Sequence, residues 1–184
     1  MADLSLEQRI RQLLSHAIEF EGICFRNVSQ RFANRQDILS AKGSKITGGR
    51  FNFKGTFEVL YLSCDVHTCI EETTHAARSS GFDVAKMLPR TTVGVKVRLS
   101  RVLDFTRIGI LRQIGISKSV LAGTDWERIQ NVENKEAVTQ SIGRFAKQVG
   151  FEAILVPSAV WSGKNLDIFP DNVLPSSEIH VTNL

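Results

Sequence analysis

The chain has 184 residues, 42% of them hydrophobic, with 23 basic and 19 acidic side chains and a net charge of +4. That length and composition suit one domain with its own core and argue against intrinsic disorder. The apolar runs are too short to span a bilayer, and +4 is too small by itself to imply nucleic-acid binding. Residues 1–11 are polar, without the apolar segment of a secretory signal. The three cysteines, Cys24, Cys64 and Cys69, form no CxxC pair. The expectation is a cytoplasmic protein with reduced thiols.

In chain order, residues 4–19 read as an amphipathic helix with Leu6, Ile10, Leu13, Leu14 and Ala17 on one stripe. Residues 23–28 read as a short strand that delivers Arg26. Residues 29–57 are loop-rich, with a helical turn near 36–39. Residues 59–63 read as a buried strand, and Asp65 as the N-cap of a helix reaching about Arg78, stopped by Gly81. Val66, Ile70, Thr73 and Ala77 make its expected buried stripe. Residues 91–99 alternate as a strand. Short helices are expected near 107–113 and 118–121, and a longer one over 133–149, stopped by Gly150. Residues 153–156, 166–169 and 179–181 read as short strands. Without strict βαβ alternation the class is α+β.

Charge is unevenly spread. Residues 26–54 hold seven of the basic side chains and one acid, Asp37, which leaves 16 basic against 18 acidic elsewhere. The segment contains Gly48-Gly49-Arg50-Phe51-Asn52-Phe53-Lys54-Gly55. Glycines let backbone N–H groups approach a phosphate, and arginine grips its oxygens in pairs. By spacing alone, Arg50 fits either a pyrophosphate grip or a surface arginine after a tight turn. Arg26 fits an inward cation needing an anionic partner, or an edge-strand arginine in water.

Glu71 and Glu72 both fall off the expected buried stripe, although Cys69 and Ala76 beside Glu72 leave room for a ligand. His67, Glu71 and His75 have a metal-like spacing, but eight helical residues rise about 12 Å, too far for one ion. No metal site is expected. Tyr61 suits core packing or ring stacking. Ser158 follows a strand without a GxSxG elbow, so nothing supports a Ser-His-Asp hydrolase, and the lack of GxxxxGK[ST] excludes a P-loop NTPase.

Together these pieces resemble the RES domain, a family named for its arginine, glutamate and serine. The matching elements are Phe25-Arg26, Gly43-Ser44, Gly49-Arg50-Phe51-Asn52 with Gly55, Leu60-Tyr61-Leu62-Ser63, Glu72 eleven residues past Tyr61, Pro157-Ser158-Ala159, Asn165-Leu166 and Phe169-Pro170. Phe51 stands where tryptophan is common in the family, and Phe53 where proline is common. The likeness spans roughly residues 23–181. The N-terminal helix, within residues 1–22, lies outside the likeness and is expected to pack on a domain of residues 23–184, for which the resemblance implies an ADP-ribosyltransferase-like split β-core with flanking helices. The resemblance also implies a bacterial toxin that cleaves the nicotinamide–ribose bond of NAD+ by hydrolysis or phosphorolysis, or transfers ADP-ribose to a protein. NAD+ is then a substrate and no cofactor is needed. The implied partner is an Xre-type helix-turn-helix antitoxin, with no membrane and no direct nucleic-acid contact. A non-catalytic nucleic-acid-binding module is the rival from another class.

By the same resemblance Glu72, Arg50 and Ser158 are the catalytic residues, and Arg26, Arg50, Tyr61, Ser158 and Asn165 bind NAD+. Glu71 is the alternative glutamate. Cleaving the nicotinamide–ribose bond passes through an oxocarbenium-like state, which a nearby carboxylate stabilises.

Overall fold

The computed structural model describes residues 4–182, apart from 80 and 82 and the side chains of Ala76 and Ser79. Six strands among these residues form one sheet. Its spine is β3 (Arg90–Asp104), in which Val93, Val95, Val97 and Leu99 are buried while Lys96 and Arg98 face solvent. The strand β1 (Ile18–Ser29) runs antiparallel along one edge of β3, from Ile18 opposite Val102 to Ser29 opposite Arg90. The other edge carries β6 (Glu178–Val181), antiparallel, and β4 (Ala153–Pro157), parallel. The sheet continues from β4 to β5 (Lys164–Ile168) and β2 (Leu60–Ser63), both antiparallel steps. A last pairing, Phe25 opposite Ser63, joins β2 to β1 and closes the sheet on itself.

Period-2 alternation sends the side chains of these short strands into two cores. Leu60, Leu62, Leu166, Ile168, Ala153 and Leu155 join the valines of β3 in one. Ile154 and Val156 point to the other, which also takes Phe51, Phe105, Phe151 and Phe169. Two helices close this second core, α1 (Leu6–Gln12) with Ile10 and α8 (Val138–Val149) with Ile142 and Ala146. The remaining helices are α2 (Arg35–Leu39), α3 (Lys42–Thr47), α4 (Val66–Ser79), α5 (Ile110–Gln113), α6 (Lys118–Gly123) and α7 (Trp126–Asn131). No helix among the described residues is long and apolar enough to cross a membrane. All three cysteines are free thiols.

The α+β class holds, and several elements differ from expectation. The helix expected over 4–19 stops at Gln12; a 3-10 turn covers Leu13–His16 and β1 begins at Ile18. Ladder bonds to the long β3 outcompete helical propensity there, because β3 offers partners as far as Val102. The loop-rich stretch contains α3, and the gap before α8 contains α7. The helix expected over 133–149 starts at Val138, where Gln140 bonds back to the Ala137 N–H.

The buried stripe of α4 is also different. Val66 and Ile70 are each 39% exposed, whereas Thr68, Cys69 and Ala77 are buried. The cause is local. The Asp65 side chain caps the helix by accepting from the Thr68 N–H at 2.8 Å and its hydroxyl at 2.6 Å. This capped turn packs directly on Gly163, where a Cβ would collide with Thr68 and Asp65. The contact fixes the rotation of the helix and turns Glu72 inward.

Candidate active site

On the sheet face that carries Tyr61 and Ser63 of β2 and Asn165 and Asp167 of β5 lies a cleft of about 760 Å³. Its walls are the 43–51 segment, the inner face of α4 and the start of α7. Arg26, Arg50, Tyr61, Glu72 and Asn165 all line it.

The Gly-Gly-Arg turn is built by conformation and contact. Gly48 has φ of 77°, in the left-handed region that favours glycine. A Cβ on Gly49 would lie 2.5 Å from the Tyr61 hydroxyl, so only glycine lets the turn rest on that ring. Tyr61 in turn accepts from the Phe51 N–H at 3.0 Å and donates to Asn52 Oδ1 at 2.8 Å. Burial pushes its phenol well above the ordinary tyrosine value, so it remains a donor. Two fully buried glutamines hold the turn from behind. Gln140 Nε2 donates to the carbonyls of Gly49 and Asn52, at 3.1 and 3.3 Å. Gln130 accepts from the Lys54 N–H and donates to the Thr47 carbonyl, each at 3.0 Å.

Both candidate arginines are anchored on backbone carbonyls. Arg50 Nη1 donates to Leu121 and Ala122 at 3.2 and 3.1 Å, using the orphan carbonyls at the end of α6. Arg26 Nη1 donates to the carbonyls of Asp37, Ile38 and Ser40. Burial lowers the Arg26 guanidinium below the usual arginine range, though it stays a cation at physiological pH. Among the described residues neither arginine forms an ion pair with a carboxylate. Two half-buried cations that form no ion pair among the described residues thus line one cleft.

Glu72 lines the same cleft. Its Oε1 accepts from the Ser158 hydroxyl at 2.7 Å and from Asn165 Nδ2 at 2.5 Å. Ser158 Oγ also accepts from the N–H groups of Val160 and Trp161, at 3.2 and 3.1 Å. Those contacts occupy its lone pairs and aim its proton at Glu72. Ser158 therefore acts as a turn serine and as a partner of Glu72 together. Both donors converge on one carboxylate oxygen, which leaves Oε2 for the cleft. Glu71 lies outside the lining, and Cys69 lines the cleft beside Glu72. Ala76, the other small residue expected there, has its side chain outside the described residues.

Some lining residues carry no role in the sequence reading. They include Asp167, Ser63, Trp126 and His75, which sits one helical turn beyond Glu72. The sequence signal for Asp167 is its i+2 relation to Asn165, the two flanking Leu166 in a strand that also holds Lys164 and Ile168. For Gln130 and Gln140 there is none, because α7 and α8 meet the turn only through the fold.

Known proteins share the sequence and the fold. The NAD(+) phosphorylases MbcT of Mycobacterium tuberculosis (strain H37Rv) and of Mycobacterium bovis are each 26% identical over 144 residues, 77% of this chain and 70% of theirs. The crystal structure of the M. tuberculosis MbcT–MbcA toxin–antitoxin complex contains a chain of the same fold. The TM-score is 0.73 at 24% identity, over 97% of this chain and 92% of that one. The family model for the RES domain matches residues 23–182, from within β1 to just past β6, and takes in every residue placed around the cleft. The chain belongs to the RES domain family.

Proposed function

We propose that the chain is a toxin enzyme that cleaves the nicotinamide–ribose bond of NAD+, with inorganic phosphate as acceptor. Nicotinamide leaves with the bonding electron pair, a phosphate oxygen bonds to C1 of the ribose, and the product is ADP-ribose 1-phosphate. One observation carries this: Glu72, held by Ser158 and Asn165, lines the same cleft as Arg26 and Arg50, neither of which forms an ion pair among the described residues. The arginines suit the pyrophosphate, or the pyrophosphate and the incoming phosphate. The free oxygen of Glu72 suits the positive charge that develops on the ribose. The Ser158 and Asn165 donors keep that oxygen in place, so little reorganisation is needed as the bond breaks. Tyr61 offers a ring face to the nicotinamide. The choice of phosphate is supported by the names of the MbcT relatives.

The same proposal places the chain in the bacterial cytoplasm, where NAD+ is available, beside an Xre-type helix-turn-helix antitoxin. Support comes from the fold shared with a chain of a toxin–antitoxin complex. The test is incubation of the pure protein with NAD+, with and without phosphate, and mass spectrometry of the products. Free nicotinamide and phosphorylated ADP-ribose are expected only with phosphate. ADP-ribose in both reactions would make water the acceptor, and labelled protein would make it a transferase. Untouched NAD+ with folded protein would overturn the proposal. Expression without the antitoxin should lower cellular NAD+ and stop growth.

A further inference from the structure

Asp167 is an unexplained group at the floor of the cleft. It is 2% exposed and lines the cavity, and its Oδ1 has no hydrogen-bond partner. A buried carboxyl oxygen without a donor costs stability, so such groups call for an explanation. Its place in the sheet is fixed: Asp167 pairs with Tyr61 on one side and with Ile154 on the other. Asn165, two residues earlier on the same face, donates to Glu72.

We propose that Asp167 recognises the carboxamide of the nicotinamide ring, and so makes the enzyme select NAD+ over its carboxylate analogue. The assignment rests on the reading of the cleft as an NAD+ site and gives that site its specificity determinant. Residues i and i+2 of a strand stand roughly 6.7 Å apart. With the ribose at Glu72 and Asn165, the next position along β5 meets the far edge of the leaving ring. Tyr61, the cross-strand neighbour of Asp167, then lies beside that ring. A neutral carboxyl and a carboxamide are complementary. The acid O–H donates to the amide oxygen, and the amide N–H donates to the acid carbonyl.

The surroundings favour the neutral acid. Burial raises the Asp167 carboxyl well above the ordinary range, Glu72 and Cys64 add to the effect, and Arg50 opposes it. Tyr61, the remaining titratable neighbour, is itself held protonated. A ligand ending in a carboxylate offers Asp167 no donor and brings a negative charge towards Glu72. A site built around a buried polar pair rejects an analogue that cannot complete the pair far more strongly than an apolar pocket does.

The test compares kcat/KM for NAD+ and for nicotinic acid adenine dinucleotide in wild type, Asp167→Asn and Asp167→Leu, each checked by circular dichroism. Wild type should prefer NAD+ by at least about a hundredfold. Asp167→Asn, isosteric and able to donate to either ligand, should narrow the preference to within about tenfold. Asp167→Leu should lose most NAD+ turnover. Product inhibition of the wild type gives a second readout that needs no variant. Nicotinamide should inhibit, and nicotinic acid should not at the same concentrations. A wild type that consumes NAD+ while both variants keep its preference overturns the assignment, as does equal inhibition by the two ring compounds. A wild type that consumes neither dinucleotide overturns the NAD+ reading itself, and the carboxamide assignment falls with it.

Discussion

The two adjacent glutamates behave as different residues because one is held and the other is not. Glu72 receives two hydrogen bonds on a single oxygen, whereas Glu71 is off the cleft. Glu72→Gln keeps the shape and removes the charge that opposes the ribose cation. Turnover should fall on the order of a hundredfold or more with little change in NAD+ affinity. Glu71→Gln should be close to silent. Steady-state kinetics and NAD+ binding, measured side by side, check both. Arg50 spends one nitrogen on two carbonyls of α6 and keeps the rest of its fork. Lysine cannot hold that anchor and grip an anion at once. Arg50→Ala should cost roughly 2–4 kcal/mol of transition-state stabilisation, and Arg50→Lys should not restore it. Near-wild-type kcat/KM for the lysine variant would refute the grip.

At the scale of elements, the rotation of α4 decides whether there is a site. The Asp65–Thr68 cap against Gly163 sets that rotation, some distance from the reacting groups. Gly163→Ala places a methyl group into the cap. It should destabilise the protein by about 1–3 kcal/mol and lower turnover, because α4 must shift and carry Glu72 from Ser158. Thermal unfolding and kcat together report this; a variant with wild-type values of both would show that the contact does not orient the helix. The rotation was not legible in the sequence. Apolar periodicity favours Val66 and Ile70 as buried, yet both are partly exposed, because a tight glycine contact outranks a weak hydrophobic preference. The glutamate was legible through its spacing from Tyr61 and the small residues Cys69 and Ala76 beside it.

In the whole molecule, two buried acids respond to pH with opposite signs. Glu152 is fully buried where β3, the start of β4 and the segment after β5 converge. Burial would raise its carboxyl, but N–H donors from Leu174, Arg101 and Ser100 outweigh that and hold it below the ordinary range. A lowered folded pKa gives stability that is present above the unfolded value and lost as pH falls through the folded one. Chemical denaturation at a series of acidic pH values should show this loss, and Glu152→Gln should be less stable at neutral pH with a shallower acid slope. For Asp167 the folded value is raised. Its contribution is therefore present below the unfolded value and lost as pH rises. Asp167→Asn should raise the melting temperature at neutral pH, with the gain shrinking in acid. No gain at neutral pH would mean that the buried carboxyl carries no such cost.

The sequence by itself determined the class of fold and the alternation of the long strand β3; it singled out Arg26, Arg50, Tyr61, Glu72, Ser158 and Asn165 through their resemblance to the RES domain pattern. The class and the alternation depend on local patterns, above all period-2 burial, that survive without tertiary knowledge. Tertiary structure decided where helix gives way to strand before Ile18, since only the pairing with Val102 rewards an extended chain there. It decided which face of α4 is inside. It also brought Asp167 to the cleft and Gln130 and Gln140 to the back of the glycine turn, from a strand and helices more than 70 residues beyond that turn. Such groups leave no local trace, because their role is set by neighbours that are distant in the chain and adjacent only after the sheet has closed.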